Sequence, residues 1–424
     1  MSIAPFSGFY FWMLLALFIA GYSLLRFLAA ASWIRNIFNI VMSLIIIGLI
    51  QDHSEGLYLL CFLILILLLV FGGGRALLSG SSSIQRKRIN ISLISFIVLV
   101  LCFFKYSDFQ MGFMVVFQYL YSGVIKTSLH WNKGLFLLGV SYFSFKFIHF
   151  LADCYNKKIK NLNLLTFMNY ILFFPSFFSG PINRYNSFAE NLSDSITKRP
   201  DYAGGAKRII HGLFRKIVLA NSLLPYTIIS LDLNSPSVTP LQAIVGIYAY
   251  MVYVFFDFSG YTEMAIGTGK LVGINLPENF NYPFFRRNLR EFWANWHMSL
   301  TTWLTDYIYW PLARRFRHVE ELRKRPITNS NICMILTFMV CGLWHGDGKN
   351  FFIWGTYHGV GLAILNSYGY LEKKYYPRRW REVLNKSRFA YGVSSFITLQ
   401  FVAFGFLLFG LDIERIRLFF RIFM

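Results

Sequence analysis

The stretch CGLWHGDGKNFFIWGTYHG, residues 341–359, holds two histidines, His345 and His358, each followed directly by glycine. An imidazole titrates near neutral pH, so it can take a proton from a hydroxyl and return it. His345 precedes Gly346-Asp347-Gly348, where small residues let a substrate come close to the backbone. That setting suits proton transfer. It equally suits a histidine bonded to a loop carbonyl, and the pattern alone leaves both readings open. His345 and His358 are far enough apart in sequence that they need not meet.

Other histidines carry weaker signals. His297 sits in FWANWHMSLTTW, followed by Ser299, Thr301 and Thr302. Positions i and i+2 of a helix do not face each other, so His297 and Ser299 make no nucleophile–base pair. Lys146, His149 and Asp153 share one helical face in SYFSFKFIHFLADCY. Polar groups in an apolar helix turn toward a bundle interior or a cavity, so this face either lines a substrate path or is a structurally satisfied cluster. His53 and His318 fall in polar loops, and His130 and His211 flank apolar segments. The chain has no G-x-S-x-G, no H-E-x-x-H and no phosphate-binding loop. The five cysteines, Cys61, Cys102, Cys154, Cys333 and Cys341, lack metal-ligand spacing and read as small buried hydrophobes. No metal is expected.

The elements that must position these residues are membrane helices. Of 424 residues, 56% are hydrophobic and only 14% charged, against about 25% in a soluble domain. Apolar runs such as 8–25, 57–71 and 391–410 approach the ~20 residues that cross a bilayer core. The chain reads as all-α, a polytopic integral membrane protein with spans near 8–27, 34–50, 57–71, 89–104, 135–151, 164–180, 209–230, 241–258, 332–345, 351–371 and 391–411, about eleven in all. No linker divides the chain, so one integral domain over 1–424 is expected. The first apolar segment reads as a retained helix.

Lys and Arg number 41 against 20 Asp and Glu. In a membrane chain this excess serves lipid anchoring and orientation rather than nucleic acid. The loop 51–55 has no Lys or Arg, whereas Arg75, Arg86-Lys87-Arg88 and Lys157-Lys158-Lys160 are basic; placing the basic loops in the cytoplasm puts the N-terminus outside. A simple span at 164–180 would then send the basic stretch 184–208 outside, so a re-entrant segment is expected near Phe174-Pro175 and Gly180-Pro181. The stretch 277–331 mixes aromatics and arginines without a continuous apolar run, as interfacial helices do.

Four segments within residues 138–359 resemble the membrane-bound O-acyltransferase family in its bacterial branch: LGVSYFSFKFIHFLADCY (138–155), FFPSFFSGPINRY (173–185), PENFNYPFFRRNLREFWANWHMSLTTWLTDYIYWPL (277–312) and CGLWHGDGKNFFIWGTYHG (341–359). The last two match F-W-x-x-W-H-x-S-L-x-x-W-x-x-D-Y and G-L-W-H-G followed by W-G-x-x-H-G. The resemblance implies His345 as the active histidine and His297 as the second signature histidine. It places Trp344, Gly346 and Trp296 near the acyl donor or the oxyanion, and Lys146, His149, Asp306 and His358 along a substrate path. Relatives often carry arginine where Asn295 and Thr305 stand here; Arg286, Arg287 or Arg290 are the available substitutes.

The function implied is transfer of a small acyl group from a cytoplasmic thioester, acetyl-CoA or a phosphopantetheine acyl carrier protein, to hydroxyls of an exported envelope polymer. No cofactor stays bound. SGPINRY and FVAFGFLLFG resemble family members that D-alanylate teichoic acids, whereas ENFNYPF, KIVLANSLLPY and WGTYHG resemble polysaccharide O-acetylases; acetyl is narrowly favoured. Expected partners are the acyl carrier or acyl-CoA, the polymer, an extracytoplasmic second acyltransferase and the lipid bilayer of the bacterial cytoplasmic membrane. The basic 314–325 stretch either docks an acidic carrier or anchors to lipid. The rival reading is a glycan or lipid transporter without chemistry, or a structural scaffold; no internal repeat supports a transporter.

Overall fold

The structure, a computed structural model, describes residues 9–28, 30–50, 56–79, 82–113, 137–194 and 199–424. His53 and His130 lie outside them. Contacts divide the chain into two compact units, residues 1–210 with 263–277 and residues 211–262 with 278–424.

In the first unit, α1 (Phe9–Phe27), α2 (Ser32–Ile50), α3 (Gly56–Leu78) and α4 (Ser83–Lys105) precede α5 (Val140–Tyr155), α6 (Leu164–Leu172), α7 (Tyr185–Asp194) and the start of α8 (Tyr202–Leu213). α4 opens on a capping box, the Ser82 hydroxyl accepting from Gln85 N and the Gln85 side chain accepting from Ser82 N. α3 packs closely on α5 because Gly74 leaves room for the Phe150 ring: a Cβ there would come within 2.7 Å of it. The core behind this contact is aromatic, with Phe147, Phe150, Phe167, Tyr170 and Tyr185 buried.

α6 stops at Leu172, and a short 3-10 turn with Pro175, Phe174–Ser176, follows it. The backbone then runs irregularly through Gly180-Pro181 to α7, with Pro175, Ser176 and Phe177 buried. The buried amine of Lys146 reaches the Tyr170 carbonyl (3.2 Å), the Ile171 carbonyl (3.4 Å) and the Ser176 hydroxyl (3.1 Å). One amine thus meets the last carbonyls of α6 where no helix continues.

The second unit holds most of α9 (Pro240–Val272), α10 (Leu289–Asn295), α11 (Met298–Leu304), α12 (Trp310–Phe316), α13 (Pro326–His345), α14 (Lys349–Tyr375), α15 (Arg378–Lys386), α16 (Arg388–Gly410) and α17 (Ile413–Arg421). α13 and α14 form an antiparallel hairpin in near-backbone contact. A Cβ on Gly342 would meet the Phe351 carbonyl at 2.3 Å, and one on Gly355 the Phe338 carbonyl at 2.2 Å. Gly359 lies against Ile335 in the same seam, 2.8 Å from its Cα by the same measure. Gly355 and Gly359 form the G-x-x-x-G pattern that lets helices approach closely in a bilayer.

Among the described residues, six helices are long and apolar enough to cross a membrane: α2, α3, α4, α9, α13 and α16. The expected count of about eleven is not confirmed by these six. α6 has nine residues before its Pro-containing turn, and α8 passes into a π-helical segment, Phe214–Ala220, then a 3-10 turn at Leu224-Pro225-Tyr226. α14 is long but carries His358, Asn366, Glu372 and two terminal lysines. Much of the apolarity at 164–180 faces a protein core instead of lipid. The expected all-α membrane architecture stands.

Candidate active site

His345 is the last residue of α13, and Gly346 caps it in extended conformation. The imidazole is half-buried, ringed by aromatics in edge-to-face contact: Trp344 at 4.7 Å, Trp354 at 5.0 Å and Phe409 at 5.0 Å between ring centroids. Each wall has a separate origin. Trp344 precedes His345 in α13, and Trp354 comes across the glycine seam from α14. Phe409 ends α16, where the Asn350 side chain donates to the Leu408 and Phe409 carbonyls, both at 3.3 Å. Gly346 is required by space: a Cβ would come within 2.3 Å of the Phe351 ring.

His358 is placed differently. It is buried, and its Nδ1 accepts from the Trp293 indole at 3.3 Å. Indole only donates, so Nδ1 carries no proton and the ring is the Nε2–H tautomer. A Cβ on Gly405 would fall 2.4 Å from Nε2, so α16 closes the other side of the ring. Trp354 stands between the histidines, 5.0 Å from His345 and 5.1 Å from His358.

His297 occupies the break between α10 and α11 with φ 44° and ψ 53°, left-handed for a non-glycine residue. The break is held from one side by Asn279. Its carbonyl accepts from Met298 N at 2.9 Å, and its side-chain oxygen accepts from Ser299 N at 3.2 Å and the Ser299 hydroxyl at 2.6 Å. The strain is therefore over-determined by the fold. The His297 ring is buried edge-on against Phe258, 4.7 Å away, and burial pushes its pKa down to about 3, so it is neutral at ordinary pH. Trp296 is buried beside it, stacked on Phe292 at 5.7 Å. A continuous series of ring contacts runs from His297 through Phe258, Phe280, Trp296, Phe292, Trp293 and Trp354 to His345.

Arg286 donates to the Asn295 side chain at 3.3 Å and to the Tyr282 and Asn281 carbonyls at 2.8 and 2.5 Å. A guanidinium thus lies beside position 295, largely occupied with its own loop. Asp306 is exposed within a π-helical turn, Thr305–Tyr309. Lys146 and His149 belong to the first unit, where His149 Nε2 and the Tyr170 hydroxyl are 2.6 Å apart. Among the described residues no group of His, Cys, Asp and Glu could hold a metal ion.

The family model for "MBOAT, membrane-bound O-acyltransferase family" matches residues 92–408. The chain belongs to the membrane-bound O-acyltransferase family. This O-acyltransferase is a multi-pass membrane protein, and the family assignment excludes the transporter reading. It is similar to the teichoic acid D-alanyltransferase of Bacillus subtilis, 35% identical over 64% of this chain and 68% of the relative. It is also similar to the probable alginate O-acetylase AlgI of Azotobacter vinelandii, 33% identical over 62% of this chain, and to the peptidoglycan O-acetyltransferase of Helicobacter pylori, 31% identical over 66%. The match spans about half the length of these last two, 51% and 55%.

Sequence reasoning had not singled out Trp354, Trp293 or Phe409. Trp354 carried a signal: it lies four residues before His358, on the same helical face. Trp293 had its place in the F-W-x-x-W-H signature. Phe409 comes from another helix, and nothing in the local pattern pointed to it.

Proposed function

We propose that this O-acyltransferase moves a small acyl group from a cytoplasmic thioester to a hydroxyl of an envelope polymer, with His345 as general base and His297 as the second residue of the site. The observation that carries the reading is the setting of His345: a half-buried imidazole at a helix end, held by three aromatic rings and followed by a space-limited glycine.

The acceptor oxygen attacks the thioester carbonyl while the His345 imidazole takes its proton, an effect worth roughly 10²–10⁴-fold. The tetrahedral oxyanion collapses, breaking the C–S bond. The imidazolium returns the proton to the departing sulfur, so the products are an ester and a free thiol. Backbone N–H groups around Gly346 and the Trp344 indole are the donors suited to the oxyanion. The aromatic walls limit water, which would otherwise hydrolyse the thioester. His297, neutral and buried, orients the reactants instead of exchanging protons with solvent.

The donor is acetyl-CoA or a phosphopantetheine acyl carrier protein, the acceptor an exported polysaccharide or teichoic-acid-like polymer, and the setting the bacterial cytoplasmic membrane. A second, extracytoplasmic acyltransferase would complete the path if transfer is a relay. Local motifs lean toward acetyl. Identity leans toward D-alanyl by a small margin, 35% to a D-alanyltransferase against 33% to an alginate O-acetylase. Purified protein in lipid should be offered acetyl-CoA and D-alanyl carrier protein in parallel, with thiol release and ester formation followed together. Turnover of one donor names it; turnover of neither, with folded protein and acceptor present, contradicts the proposal.

A further inference from the structure

A cavity of about 860 Å³ lies in the second unit, and neither His345 nor His297 lines it. It opens at one end of three helices: Ile327 in the first turn of α13, Leu365 to Lys373 in the last turns of α14, and Phe389 to Ser394 at the start of α16. That end is rich in Lys and Arg, among them Arg323, Lys324, Arg325, Lys373, Arg378 and Arg379. Such a basic concentration marks the cytoplasmic face. α15 lies in the same region with the pattern RRWREVLNK. Its Arg378 is exposed and so are Val383 and Leu384, as in a helix lying in the headgroup plane.

The lining has two chemistries. Arg287, Arg290 and Lys373 supply three cations, against Glu291 and Glu372. Glu291 is already engaged, accepting from the Asn288 side chain at 2.9 Å and from Arg287 N at 3.2 Å. Arg290 is exposed and reaches only as far as the Asn366 oxygen at 3.4 Å, leaving most of its fork available. The same lining includes Leu384, Phe389 and Val393, apolar and exposed at 47%, 83% and 44%. A soluble anion would use the cationic part alone. An amphiphile at headgroup depth uses both parts.

We propose that this cavity holds one anionic glycerophospholipid of the cytoplasmic leaflet. Arg290 and Lys373 take its phosphodiester, and its acyl chains lie over Leu384, Phe389 and Val393. The inference stands independently of the acyl-transfer reading.

The test uses the full chain, purified in mild detergent and examined by native mass spectrometry with phosphatidylglycerol or phosphatidylcholine of matched chains. Wild-type protein should retain one phosphatidylglycerol under activation that strips phosphatidylcholine. The R290Q/K373Q double variant should retain it roughly 30-fold more weakly, two surface charges being lost. R378Q/R379Q, which removes two charges outside the cavity, should behave as wild type. Lipid-free melting of every variant checks folding, and the single variants are read if the double variant melts early. Equal retention of both lipids, or undiminished binding by the folded cavity variants, overturns the proposal. Displacement of phosphatidylglycerol by coenzyme A also overturns it, since the cavity would then serve a soluble thioester donor.

Discussion

The Trp354 indole meets the His345 imidazole edge to face, 5.0 Å apart at 86°. It reaches the end of α13 because the glycine seam lets α14 approach almost backbone to backbone. The position of the proposed base therefore depends on residues that never touch a substrate.

Replacing Gly355 tests that dependence. Even Gly355→Ala puts a carbon 2.2 Å from the Phe338 carbonyl, which is backbone and cannot swing aside. Gly355→Ala should lower the melting temperature in detergent, and Gly355→Leu should abolish folded yield. Overpacking costs of ~1–3 kcal/mol are usual for one or two added methylenes. Gly369, with nothing within 4 Å of a Cβ, is the control and should tolerate alanine.

Trp354 itself should separate positioning from stability. Trp354→Ala empties a buried site and should destabilise the protein by ~3–5 kcal/mol, with transfer reduced further than the loss of folded protein explains. Trp354→Phe keeps an aromatic edge near His345 and should recover most of the rate. Purified variants compared by kcat at equal folded concentration distinguish the two effects.

Much of this arrangement could be read from residue types. His345 before Gly346-Asp347-Gly348 marked a break in the chain, while the spacing of Gly355 and Gly359 held a close-packing signal that was not read from the sequence. Pro175 and Gly180-Pro181 announced the break after α6. What local pattern could not supply was partnership across distance. Phe409 joins His345 from a distant helix, whose last carbonyls accept from the Asn350 side chain. Spans are hard to count from sequence for a related reason: apolarity does not distinguish a lipid-facing side chain from one such as Phe167 or Tyr170, buried inside the first unit. The π-helical turns at Phe214–Ala220 and Thr305–Tyr309 change hydrogen bonding without changing the apolar pattern.

Lys146 gives a test in the first unit. Lys146→Met keeps much of the length but leaves the Tyr170 and Ile171 carbonyls and the Ser176 hydroxyl without the amine. Each buried polar group so deprived costs about 1–3 kcal/mol. The variant should melt well below wild type, and Lys146→Arg should fare better than Lys146→Met if its guanidinium reaches the same oxygens.

His297 predicts a pH dependence. Its folded pKa is held near 3 by burial, whereas the unfolded chain takes the proton near 6.5. Between those values the unfolded state binds more protons, so stability falls as pH drops from about 6.5 toward 3. The limiting slope is about 1.4 kcal/mol per pH unit for this one group. Melting temperatures of wild type and His297→Gln, compared at pH 7 and pH 5, should show a smaller acid-side decrease in the variant. Equal decreases would remove His297 as a source of that sensitivity.

The central claim is that His345 performs proton transfer in an acylation of the cell envelope. The most direct test is to release ester-linked acyl groups from envelope polymers with mild base and identify them by mass. Cells carrying wild type, no chain, and His345→Ala at matched folded expression should be compared. The account predicts that one acyl ester present with wild type disappears in both defective strains. An ester lost without the chain but retained with His345→Ala would contradict the role given to this histidine.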